Sequence, residues 1–170
     1  VVLVRQTVKN DLVAAARAKR HGMHHTIKIA QEARRAGIPY DLAYALVEQE
    51  TGTGRNVFGS DPTIYVGAGA VTKKKYLAYR ARRRASGNRL MQGVGLTQLT
   101  WWEFQDAADR MGGCWNPRIQ LRYGFRKLRG LIKAHGSDGI RRYNGSGPAA
   151  QAYKRSVLAK KSKWHRRLNP

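Results

Sequence analysis

Apolar residues recur every three to four positions through the first third of the chain, the spacing of amphipathic helices. Residues 6–20 carry Val8, Leu12, Val13 and Ala16 on one expected inner face and stop at Gly22. Thr26 stands where it can cap a second helix, with Ile27, Ala30 and Ala33 inside and Gly37 just past the end. Pro39 interrupts the pattern, and Asp41 opens a third helix, LAYALVEQE, which Gly52 and Gly54 terminate. From Gly54 to Gly95 the pattern changes to a glycine-rich stretch that predicts loops. Within it, Thr63, Ile64, Tyr65 and Val66 suit one short strand, so a hairpin at most is expected, followed by a basic helix over residues 71–85. Helical spacing then returns. Thr100 and Glu103 fit a capping box for a helix ending at Gly112. Asn116-Pro117 opens a longer helix carrying Ile119, Leu121, Phe125, Leu128, Leu131 and Ile132 and ending near Gly136. Gly145, Ser146 and Gly147 form a loop before a last helix that opens at Pro148. The prediction is a mainly α chain with a loop-rich insert in the middle, forming one domain over residues 1–170.

Composition supports a packed domain: 170 residues, 42% of them hydrophobic, suffice for one core and place the chain outside the disordered class. Charge adds a partner class. Lys and Arg number 33 against 10 Asp and Glu, a formal net charge of +23, so anions are concentrated at the surface. DNA, RNA, anionic lipid and bacterial cell wall all qualify. Cys114 is the single cysteine, so no intramolecular disulfide forms. No segment has the apolar length of a membrane span. The first residues lack both the layout of a signal peptide and an initiator Met, and a processed form or a domain of a longer chain is expected.

The third helix holds the best candidate for chemistry. Glu50 follows Leu46 and Val47 by one turn and falls on the apolar stripe, whereas Glu48 follows Tyr44 and Ala45. Apolar surroundings disfavour the ionised carboxylate, and the negative end of the helix dipole does the same. Both keep a carboxyl protonated near neutral pH, as a general acid requires.

Three short motifs accompany Glu50. ALVEQETGTG resembles the segment of the goose-type lysozyme and soluble lytic transglycosylase superfamily that ends in Glu-Ser, with Thr51 in place of Ser. GVGLTQLT resembles the Gly-Leu-Met-Gln motif through Gly95, Leu96 and Gln98, with Thr97 in place of Met. RRYNGSGPA resembles the Ala-Tyr-Asn motif through Tyr143 and Asn144, with Arg142 in place of Ala. The motifs occur in the family's order over residues 38–157, and the nearest likeness is to the lysozyme-like domain of phage endolysins, mycobacteriophage ones in particular. The resemblance implies a lysozyme-like helical domain with a cleft for glycan strands. Glu50 is then the catalytic acid, and Thr51, Thr97, Gln98, Tyr143 and Asn144 are the expected substrate-binding residues. It implies a peptidoglycan-cleaving enzyme with no metal or organic cofactor; a monomer is expected.

Two reactions remain open. Inverting glycosidases place a second carboxylate roughly 6.5–9.5 Å away to admit water. Between Glu50 and Glu103 the only acid is Asp61, which is either that base or a turn residue before Pro62. With Asp61, the enzyme is a muramidase. Without it, Glu50 works alone, as in lytic transglycosylases, and a 1,6-anhydro sugar forms.

The basic surface fits anionic wall polymers. The densest block, residues 73–84, interleaves Tyr76 and Tyr79 with cations, a pattern that also suits nucleic acid. The tail cations Lys160, Lys161, Lys163, Arg166 and Arg167, with Trp164, suit an anionic membrane surface. A nucleic-acid-binding module and a wall-binding domain with a dead cleft are the competing readings, although no zinc-finger, RNA-recognition or helix-turn-helix pattern is found. His21, His24 and His25 read as linker residues rather than metal ligands, and Cys114 as packing. The expected location is the host cytoplasm before release, with action at the bacterial wall.

Overall fold

A computed structural model describes residues 7–59 and 69–170. The fold is mainly α, with eight helices among the described residues: α1 (Val8–Arg20), α2 (Thr26–Ala36), α3 (Tyr40–Thr51), α4 (Lys73–Ala85), α5 (Trp102–Arg110), α6 (Pro117–His135), α7 (Asp138–Asn144) and α8 (Gly147–Leu168). Strands β1 (Val57–Phe58) and β2 (Gly69–Ala70) pair antiparallel, Val57 opposite Ala70. The strand expected at Thr63, Ile64, Tyr65 and Val66 lies outside the described residues. No described helix is long and apolar enough to cross a membrane.

Helix α3 is the centre of the larger core. Leu42 through Val47 are all buried, surrounded by Ile29 and Ala33 of α2, Leu121, Phe125 and Leu128 of α6, and Tyr153, Val157 and Trp164 of α8. A second cluster joins Phe58, Val71, Tyr76, Tyr79, Val94, Leu99 and Ile119. Helix α6 serves both clusters, giving Ile119 to the second and Leu121, Phe125 and Leu128 to the first.

Several helix starts follow the expected chemistry. The Asn116 side chain accepts from the Arg118 amide with Pro117 in the first turn of α6, and Thr72 caps α4 through the Lys75 amide. Others differ. Thr26 is the first residue of α2, and its cap is His25 in a left-handed conformation. The Thr100 capping box does not form: its hydroxyl donates to the Gln98 carbonyl, and Trp101 precedes the helix.

The inner face of α1 is also not the expected one. Val8, Leu12 and Val13 are exposed, while Asp11, Ala14, Ala15 and Ala18 are buried. The small alanines let α2 approach closely. Asp11 is tolerated inside because Arg34 donates to its Oδ2 at 2.7 Å and the Tyr40 hydroxyl to its Oδ1.

The basic segments are partly internal. Tyr76 and Tyr79 are buried, so neither forms the aromatic platform for nucleic acid that their interleaving suggests. Arg80 pairs with Asp109, and fully buried Arg83 pairs with Asp106. In the tail, Trp164 is buried and its indole N–H donates to Glu48 at 2.6 Å, which removes it from any membrane-facing role. Lys160 donates to Gln49, Lys161 pairs with Asp41, and Lys163 pairs with Glu48. These cations fasten α8 to α3.

Candidate active site

Glu50 occupies the last turn of α3, and Gly52, at φ +72°, closes that helix. Glu50 lines a cleft of about 800 Å³ between the two apolar clusters. One side carries Lys127 of α6 with Arg142, Tyr143 and Asn144 of α7; the other carries Gln92, Gln98 and Trp101, and Phe104 of α5 lies against Lys127. Among the described lining residues, Glu50 is the sole acid.

Burial pushes the Glu50 carboxyl up to about 7, while the Tyr153 hydrogen bond and the Lys127 charge oppose the shift. The Tyr153 hydroxyl donates to Glu50 Oε1. Oε2 accepts no hydrogen bond from the described residues, so one oxygen is held and the other has no described donor. A carboxyl of this kind is half-protonated near neutral pH and suited to passing a proton to an oxygen in the cleft. Glu48, two residues earlier, is tied to Lys163 and Trp164 instead.

The opposite wall is a loop held by buried amides. Gln105 donates to the carbonyls of Gln92, Leu99 and Thr100, and accepts from the Tyr79 hydroxyl. Gln120 accepts from the Leu96 amide at 3.0 Å and donates to Asn56 and to the Cys114 carbonyl. Gly95 is required beside it: its φ is +78°, and a Cβ there would lie 1.9 Å from the Gln120 amide carbon. Gly124 likewise lets the loop seat on α6, since a Cβ there would come within 2.6 Å of Thr97.

The structure thus gathers Glu50, Gln98, Tyr143 and Asn144 on one cleft, from three separated sequence motifs. Gln98 also braces the wall, donating to the carbonyls of Val57 and Gly95. Tyr143 offers its ring to the cleft, and its hydroxyl donates to the Thr97 carbonyl at 2.9 Å. Asn144 is exposed at the rim.

Two expected substrate contacts are corrected. Thr97 is fully buried and its hydroxyl donates to the Gln120 carbonyl, so it supports the loop from behind. The Thr51 hydroxyl donates back to the Val47 carbonyl at 3.0 Å, and Thr51 is not among the described cleft residues. Asp61 lies outside the described residues.

Three further residues escaped the sequence reading. Tyr153 follows Ala150 and precedes Val157 on the buried stripe of α8, and a buried tyrosine needs a partner for its hydroxyl; only the fold shows that the partner is Glu50. Lys127 carries no signal at all among 33 cations. Trp101 read as part of a capping box, yet it is 44% exposed at the cleft. Among the described residues, no group of three or more His, Cys, Asp or Glu side chains is arranged to hold a metal ion. His21 instead packs edge-on against Trp164. Compared with models of known protein families, with curated proteins and with solved structures, the chain matches none.

Proposed function

We propose that the chain is a lysozyme-like glycosidase that cleaves the β-1,4 bond between N-acetylmuramic acid and N-acetylglucosamine in peptidoglycan. The carrying observation is Glu50: a part-buried carboxyl pushed up to about 7, in a cleft shared with Gln98, Tyr143 and Asn144. In this reading Glu50 protonates the oxygen joining the two sugars as the bond to the muramic anomeric carbon breaks. Exposed Trp101 supplies an apolar face of the kind on which sugar rings stack.

Two endings follow. If Asp61 reaches the opposite face of the ring, it activates water and the enzyme is a muramidase. If Glu50 works alone, its carboxylate takes the proton from the muramic 6-hydroxyl, that oxygen bonds to the anomeric carbon, and a 1,6-anhydro product leaves.

The net charge of +23 suits retention on wall carboxylates and phosphates. Release from a host cytoplasm to its wall, as for an endolysin, fits this chemistry. Burial of Tyr76 and Tyr79 weighs against a nucleic-acid module, and the perturbed Glu50 weighs against a dead wall-binding cleft. The test is lysis of purified walls by the wild type and Glu50→Gln, with products identified by mass. Glu50→Gln is expected to abolish cleavage and to retain binding. Undiminished lysis by the variant, or no lysis by the wild type, overturns the proposal.

A further inference from the structure

Lys127 presents an ammonium group to the same cleft as Glu50. Its Nζ lies 4.0 Å from the centre of the Phe104 ring and 4.7 Å from that of Tyr143. Both rings supply the face of a π-system, which attracts a cation but accepts none of its protons as a carboxylate would. Among the described residues the ammonium donates no hydrogen bond and has no acid within salt-bridge distance.

That is unlike the treatment of other cations in this fold. Buried Arg83 is matched by Asp106, and part-buried Arg34 and Arg122 are matched by Asp11 and Glu32. Among the described residues, the one acid that Lys127 feels is Glu50, which must hold its proton to act and is then uncharged. In the competent state the cleft therefore holds a part-desolvated cation with three unused donors. Arg142 adds a second positive charge on the same wall, and its contact with Asp138, at 3.4 Å, lies at the exposed surface.

Resting on the glycosidase reading above, we infer that Lys127 is a specificity-determining residue that binds a carboxylate of the substrate beside the scissile bond. An ammonium held on two aromatic faces is fixed in position, and a carboxylate supplies the acceptors it lacks. Two carboxylates of peptidoglycan have this chemistry: the lactyl group of a muramic acid stripped of its peptide, and the acids of an attached stem peptide. An uncharged chitin-type oligosaccharide has neither.

The test compares kcat/KM on three glycans, the two charged ones with their carboxylates free or capped as methylamides. They are amidase-stripped glycan strands, strands with peptides intact, and N-acetylglucosamine oligomers as the uncharged control. Capping is expected to lower the wild-type value by about tenfold or more, the order of one charge-assisted hydrogen bond. A loss on the stripped strands identifies the lactyl carboxylate; a loss confined to peptide-bearing strands identifies the stem.

Lys127→Gln is expected to lose that preference, cleaving free and capped strands within about twofold of each other, and Lys127→Arg to restore part of it. The capping comparison on the wild type needs no variant, so a misfolded substitution leaves the inference testable. Wild-type cleavage that depends on Glu50 but ignores capping overturns the role of Lys127 alone. Equal sensitivity to capping in folded Lys127→Gln does the same. A wild type that cleaves none of the strands overturns both readings.

Discussion

Tyr153 donates its phenolic hydrogen to Glu50 Oε1 across 103 positions of sequence, from the buried stripe of α8 to the last turn of α3. The bond stabilises the ionised carboxylate and so works against the burial that raises it. Tyr153→Phe removes that opposition. The Glu50 carboxyl should rise above about 7, and the alkaline limb of the pH–rate profile should move upward with it. With one oxygen no longer held, kcat should fall by roughly tenfold at pH 6. A limb left in place by the substitution would contradict this geometry.

The same carboxyl makes a prediction about stability that does not depend on catalysis. A carboxyl raised on folding imposes no penalty below its unfolded value. The penalty grows as pH climbs from 4.5 to about 7 and is constant beyond, at about 3 kcal/mol. Glu50→Gln abolishes it. The difference in unfolding free energy, variant minus wild type, should therefore increase between pH 4.5 and 7 and then level off. Denaturant titrations at four pH values would measure it; a flat difference would place Glu50 in open water.

Gly95 should be intolerant of any side chain. Gly95→Ala forces a Cβ onto the Gln120 amide and keeps a left-handed φ, so a loss of about 2–4 kcal/mol is expected. Where the protein still folds, cleavage should fall further than stability alone requires, because the Leu96–Gln120 bond that seats the cleft wall is displaced. Thermal unfolding and turnover measured together separate the two effects.

Salt should act on capture rather than on chemistry. Exposed cations are screened within about 8 Å at physiological ionic strength, whereas Lys127 and Glu50 are shielded by the cleft. Raising salt should weaken wall binding more than it lowers turnover of short soluble glycans. Pull-down on purified walls beside a soluble-substrate assay would detect the difference, and equal losses would count against it.

The helical class was legible because it depends on local periodicity. The stripe through Leu46, Val47 and Glu50 is a property of twelve consecutive residues, but burial did not single it out: Tyr44 and Ala45, which precede Glu48, are as buried as Leu46 and Val47, and the two glutamates differ in their partners instead. The face of α1 misled for a physical reason. Bulky Val8, Leu12 and Val13 predict the inside, but close helix contact selected Ala14, Ala15 and Ala18, and two remote partners made Asp11 affordable there. Trp164 and the tail lysines misled likewise, since the acids that claim them lie on α3. Gln98, Tyr143 and Asn144 could be named from motifs, yet the support beneath them could not. Gln105, Gln120 and Lys127 are polar residues of a helix until the fold sets each against a distant partner.

One helix, α6, runs through both apolar clusters and carries Lys127 into the gap between them. The walls are therefore mounted on a common strut, and their separation is gauged by its straightness. Widening the gap requires bending 19 helical residues or lifting the loop off Gly124. On the proposed glycosidase reading, a strand of sugars entering the gap would meet an opening set by α6 and by the seat of the loop on Gly124.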